Sequence, residues 1–199
     1  MSVRGVLLVR GTPSETEAWV RRGVVAAHVL PLSPWTAVCP AEAQTRVGEP
    51  YDKVVPALAG HPLRRGMRPG LGFFVTRDDQ VTRGLVSLQS GRITAQTSWL
   101  AWTPERGTHT LPPLPAPTVQ DLAQAVGRPG AKGRVLDALR ARRDNVDEWL
   151  TGIMLALEVP GIDLIHGRPS AVPVTEPKDK AVATFASLTA DDLRDERTS

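Results

Sequence analysis

Three β-rich runs between residues 70 and 103 limit the folds open to this chain more than any other feature. They read GLGFFVTR, VTRGLVSLQ and RITAQTSWLAWT, separated by DDQ and SG. Val, Phe, Thr and Trp suit a pleated, half-buried surface, and Asp and Gly supply the turns between neighbouring antiparallel strands. The spacing predicts a three-stranded meander. In its last strand the two-residue period puts Ile93, Ala95, Thr97, Trp99 and Ala101 on one face, and Arg92, Thr94, Gln96 and Ser98 on the other. That second face turns apolar at Leu100 and Trp102. These two residues are therefore the candidates for an interaction surface, unless the chain's own helices cover them.

The N-terminal third adds shorter elements. RGVLLVR at 4–10 is a strand candidate, followed by Gly11 and a helix with complete start signals: Thr12 as N-cap, Pro13 in the first turn and Glu15 three residues past the cap. This helix is expected to run to Arg22 or Gly23. A glycine between strand and helix is also where phosphates bind, but Gly11 stands alone, without G-x-G-x-x-G or a Walker pattern. Glu15 and Glu17 further place negative charge where an anion would sit. The stretch reads as a structural cap. VVAAHVLPL and WTAVCP follow as strand candidates, with Pro31 pointing to a strand end or an edge. A short helix is expected near 50–59, limited by Pro56 and stopped by Gly60.

After the meander the chain changes character. PERGTHTLPPLPAP forms a proline-rich connector at 104–117, which separates an α+β sheet domain, 1–103, from a helical region, 118–165, that packs on the sheet. Thr118 caps a short helix. One long helix is expected over 133–158, where Leu139, Val146, Leu150, Ile153 and Leu157 recur at helical spacing. Residues 166–199 read as an extended tail with a short terminal helix, its cap at Thr189 with Asp192 three residues on. The fold class is α+β: a mixed or antiparallel sheet with helices packed on one face.

Composition narrows function mainly by exclusion. The formal net charge is +3, too small a surplus for a dedicated nucleic-acid binder. Twenty of the 24 basic side chains are arginine, a bias that a GC-rich genome alone produces, so each arginine is not read as an anion ligand. The single Cys39 rules out an intrachain disulfide framework, and no run approaches the length of a membrane span. A cytoplasmic location without a membrane partner is expected.

No motif nominates a catalytic residue. His28, His61, His109 and His166 are dispersed without metal-ligand spacing, so neither a metal nor a cofactor is expected. His28 within an apolar run and Cys39 at the end of WTAVC read as core residues. Asp78 and Asp79 read as turn residues. Among the basic groups, Arg134, Arg140, Arg142 and Arg143 interleave with Asp137, Asp144, Asp147 and Glu148 and read as a solvated helix face. Arg64, Arg65 and Arg68 share one Gly/Pro-bearing loop and are the anion-binding candidates.

The leading expectation is a non-enzymatic protein-interaction or regulatory module. The alternative is a binder of nucleic acid or another phosphorylated anion through the arginine loop. A third reading is an enzyme whose site is assembled from distant residues, signalled by a pocket that joins two histidines, or a histidine and Cys39.

Overall fold

The computed structural model describes residues 2–78, 81–91, 94–167, 169 and 171–196, with side chains up to residue 188. It is an α+β fold built on one eight-stranded antiparallel sheet. The strands are β1 (Ser2–Val9), β2 (Ala27–Leu32), β3 (Trp35–Pro40), β4 (Gly70–Arg77), β5 (Thr82–Ser90), β6 (Gln96–Thr103), β7 (Gly107–His109) and β8 (Val174–Thr175). Their spatial order is β7-β6-β5-β4-β1-β3-β2-β8. The meander occupies β4, β5 and β6, with Leu85 opposite both Phe74 and Ala101. Asp78 and Val81 exchange backbone hydrogen bonds at the first turn. Asp79, Arg92 and Ile93 lie outside the described residues. Pro31 sits in β2 opposite Thr36, beyond the short stretch where β8 covers that strand, so its missing N–H leaves no ladder bond unmade.

The helices are α1 (Pro13–Val20), α2 (Val54–Gly60), α3 (Val119–Ala125), α4 (Lys132–Arg140), α5 (Val146–Leu157) and α6 (Asp179–Glu196). Thr12 and Glu15 form the expected capping box on α1, and Thr118 and Asp121 form another on α3. The expected single helix over 133–158 is two helices. Ala141 leaves helical geometry, and Asn145 restarts the chain as an N-cap that accepts from the Glu148 N–H. The tail also departs from expectation. Residues 174 and 175 add strand β8, and the terminal helix begins at Asp179 and runs through Thr189, which is therefore not its cap.

Helices do not gather on one face of the sheet. The central strands are apolar on both sides: Leu7 and Leu8 in β1, and Phe73 and Phe74 in β4, are all buried. Both faces therefore need a cover. On one, α3, α4 and α5 pack over Leu8, Phe73, Val86, Leu88 and Trp102. On the other, α1 and α2 pack over Leu7, Val9, Val38, Phe74 and Trp99. Sequence periodicity shows which residues share a face but not which helix will reach it.

Close approach on the first face depends on Gly84. A Cβ there would lie 2.7 Å from Val146 and 2.8 Å from Trp149, so the bare backbone of β5 is what lets α5 settle onto the meander.

Candidate functional site

The residues proposed from sequence end up in three different settings. Leu100 and Trp102 lie beneath α5, 7% and 3% exposed. Trp102 stacks on Trp149 with ring centroids 6.3 Å apart, and Trp149 Nε1 donates to Thr108 Oγ1 at 2.9 Å. The chain's own helix fills this face.

The arginine loop splits. Arg65 and Arg68 line a cleft of about 400 Å³ together with Ser90, Asp121 and Gln124. Arg64 is outside that lining, and its charge acts on Glu15. Arg68 donates from Nε to the Leu63 carbonyl and from Nη1 to the Gly91 carbonyl, each at 2.9 Å. Its guanidinium thus ties the loop to the β5–β6 connection. Arg65, exposed where Arg68 is half-buried, is the more available group of the two. On the basic face expected along the 133–158 segment Arg134, Arg140 and Arg142 are exposed, and long-range pairs join the segment to the rest of the chain: Arg128 and Arg134 both bind Glu158, and Asp147 binds Arg4 from β1.

The third setting was not apparent from sequence. An apolar cleft of about 390 Å³ opens between the end of α1, α2 and α6. Val24, Pro56, Ala57 and Pro62 line it, with the rings of Tyr51 and Phe185 set edge to face at 5.7 Å. Its polar members include His61 and Lys53. Phe185 comes from α6, so one wall belongs to the C-terminal helix. Among the described side chains of α6 none is buried. The helix is joined to the body by Phe185, by the Lys178 N–H donating to the Arg21 carbonyl, and by Arg46, which pairs with both Glu42 and Glu176.

The bottom of this region is held by a buried polar hub. Gln89, 2% exposed, points away from the α5 side of the sheet. Its Oε1 accepts from the Leu63 N–H at 2.5 Å, and its Nε2 donates to the carbonyls of Ala59 at 3.0 Å and His61 at 3.2 Å. These are the backbone groups that the end of α2 leaves unpaired, and in a buried position each needs a partner. The trace in the sequence is one amide side chain, next to Leu88, in a strand that also carries Thr82, Arg83, Ser87 and Ser90.

His61 packs against the ring of Trp19, centroids 4.8 Å apart, and Trp19 Nε1 donates to the Pro62 carbonyl at 3.0 Å. Burial holds the imidazole below its ordinary pKa; a hydrogen bond to the Trp19 backbone works against that, and the charge of Arg22 adds to the lowering. His61 is therefore neutral at pH 7.

The remaining sulfur and imidazole groups are dispersed. Cys39 is buried, and desolvation, with the charge of Asp163 adding to it, pushes its thiol up to about 12. His28 Nδ1 is bonded to the Val172 carbonyl at 2.8 Å. His109 lines a separate cavity beside Arg83 and Glu105. Among the described residues no three His, Cys, Asp or Glu side chains form a group able to hold a metal ion, and no helix is long and apolar enough to cross a membrane. Comparison with protein-family models, curated proteins and solved structures finds no match.

Proposed function

We propose that this chain is a non-enzymatic regulatory and interaction module whose working site is the apolar cleft between α1, α2 and α6. The observation that carries this reading is the mixed origin of the cleft: its body is fixed by the Gln89 hub, while its Phe185 wall sits on a terminal helix with no described side chain buried. Occupancy of the cleft is thereby coupled to the placement of α6, and α6 carries the surface offered to a partner. Apolar clefts of a few hundred cubic ångströms with few polar groups are the usual form of small-ligand sites. The Leu100 and Trp102 face contributes nothing to this reading because α5 occupies it.

The test uses the neutral fluorescent probe N-phenyl-1-naphthylamine. The intact chain is expected to bind it saturably, and Ala57→Trp, which fills the cleft from α2, is expected to abolish binding while the far-ultraviolet circular dichroism stays unchanged. A folded Ala57→Trp chain that binds the probe as well as wild type contradicts the reading.

Binding of nucleic acid or another phosphorylated anion is the second reading, supported by the shared cleft of Arg65 and Arg68. It predicts a salt-sensitive affinity for a labelled oligonucleotide that Arg65→Ala weakens. An affinity unchanged by Arg65→Ala removes it.

A further inference from the structure

We propose that the α1–α2–α6 cleft takes an aliphatic monocarboxylate, with its hydrocarbon chain against the apolar lining and its carboxylate at Lys53. This rests on the reading of the cleft as the working site. The lining is dominated by proline, valine, alanine and aromatic carbon, surfaces that gain from covering an alkyl chain and offer almost nothing to a sugar or a nucleobase edge.

The charge in that lining is the narrower constraint. Lys53 is exposed, and no carboxylate pairs with it among the described residues, whereas Arg21, Arg46, Arg128 and Arg134 all have acidic partners. His61 is neutral at pH 7, and no Asp or Glu lines the cleft. Lys53 is the one charged side chain of the lining, with the Arg22 charge acting on His61 beyond it, and a positive site beside an apolar wall complements one negative charge on an apolar body. A phosphate monoester would bring close to two charges and three acceptor oxygens to a single ammonium. A cationic amphiphile would meet like charge with no carboxylate in the lining to compensate. Tyr51, also in the lining, adds an aromatic ring to the apolar wall.

The occupant also has a consequence for α6. An alkyl chain in the cleft touches Phe185 and the body at once, which adds apolar contact across the junction where α6 has no buried side chain. Binding therefore favours the docked position of α6 over any in which Phe185 has left the cleft.

The experiment is an isothermal titration of the full chain with octanoate, 1-octanol and octylammonium, each also run as a competitor of N-phenyl-1-naphthylamine. For wild type, octanoate is expected to bind about tenfold more tightly than the alcohol and to leave octylammonium weakest. In Lys53→Glu the order of the two charged ligands is expected to reverse while the alcohol is unchanged, a pattern that loss of folding does not produce. Equal binding of octanoate and octanol, unaltered by Lys53→Glu, overturns the carboxylate assignment and leaves the cleft as an apolar site. Failure of all three ligands to displace a probe that does bind also overturns it. Failure of the probe itself to bind instead overturns the underlying reading of the cleft.

Discussion

The two faces of the sheet are closed in different ways. On one side α5, twelve residues long, lies against the meander with Trp149, Leu150, Ile153, Met154 and Leu157 all fully buried, and α3 and α4 complete the cover. On the other, α1 and α2 have eight and seven residues, and the end of α2 is secured by the Gln89 side chain as well as by the packing of Leu58 and Ala59. The sheet residues of this face are buried all the same, and the cleft lies outside them, between α2, the segments flanking it and α6. Stability is concentrated on the first face and adaptability on the second, the usual division between a scaffold and the segments that bind.

The strongest challenge to this contrast is Trp149→Ala. The change removes a fully buried indole, its stacking on Trp102 and its bond to Thr108, and is expected to lower unfolding free energy by about 4 kcal/mol in urea denaturation. Probe binding per folded molecule is expected to survive. On the opposite face, Gln89→Leu leaves the Leu63 N–H and the Ala59 and His61 carbonyls without their buried partner. A loss of about 2 kcal/mol is expected, together with faster amide exchange at Leu63 and weaker probe binding. If Gln89→Leu left the cleft's affinity intact, the hub would have no part in shaping it.

A smaller effect separates the faces by pH. Because the folded His61 has a lowered pKa, the unfolded chain takes up a proton that the folded chain refuses once pH drops below about 6.5. Stability contributed by neutral His61 is therefore present above that value and is lost as pH falls through the folded pKa. His61→Gln is expected to flatten this part of the stability profile, measured as urea midpoints across the range. The least perturbing test is thiol reactivity. Cys39, buried on the α5 side with its pKa raised to about 12, is expected to react with a disulfide reagent only after unfolding.

Local chemistry was the legible part of this sequence. Thr12, Pro13 and Glu15 announce α1, and the apolar alternation with its turns announces the meander, because caps, turns and strand faces depend on residues close together in the chain. Asn145 was legible in principle: an N-cap followed by Asp147 and Glu148 divides α4 from α5, but the apolar spacing across 139–157 continues through the break and masks it. The placement of α1 opposite α5 was not legible. It follows from the burial of both Leu7 and Leu8, and of both Phe73 and Phe74, which a short apolar run does not disclose. The cleft was hidden for a similar reason: Val24, Ala57 with His61, and Phe185 are brought together from three separate segments. Arg64, Arg65 and Arg68 illustrate the converse, since neighbours in sequence here serve different partners.

Amide hydrogen exchange on the full chain, with and without octanoate, tests the division of labour between the two faces most directly. Without ligand, α5 and strands β4 to β6 are expected to exchange slowly through global unfolding, and residues 179–188 of α6 to exchange much faster through local opening. With octanoate, protection is expected to rise in α2 and α6 and to stay unchanged in α5. An α6 already as protected as α5, or a rise in protection confined to α3, α4 and α5, would contradict the account.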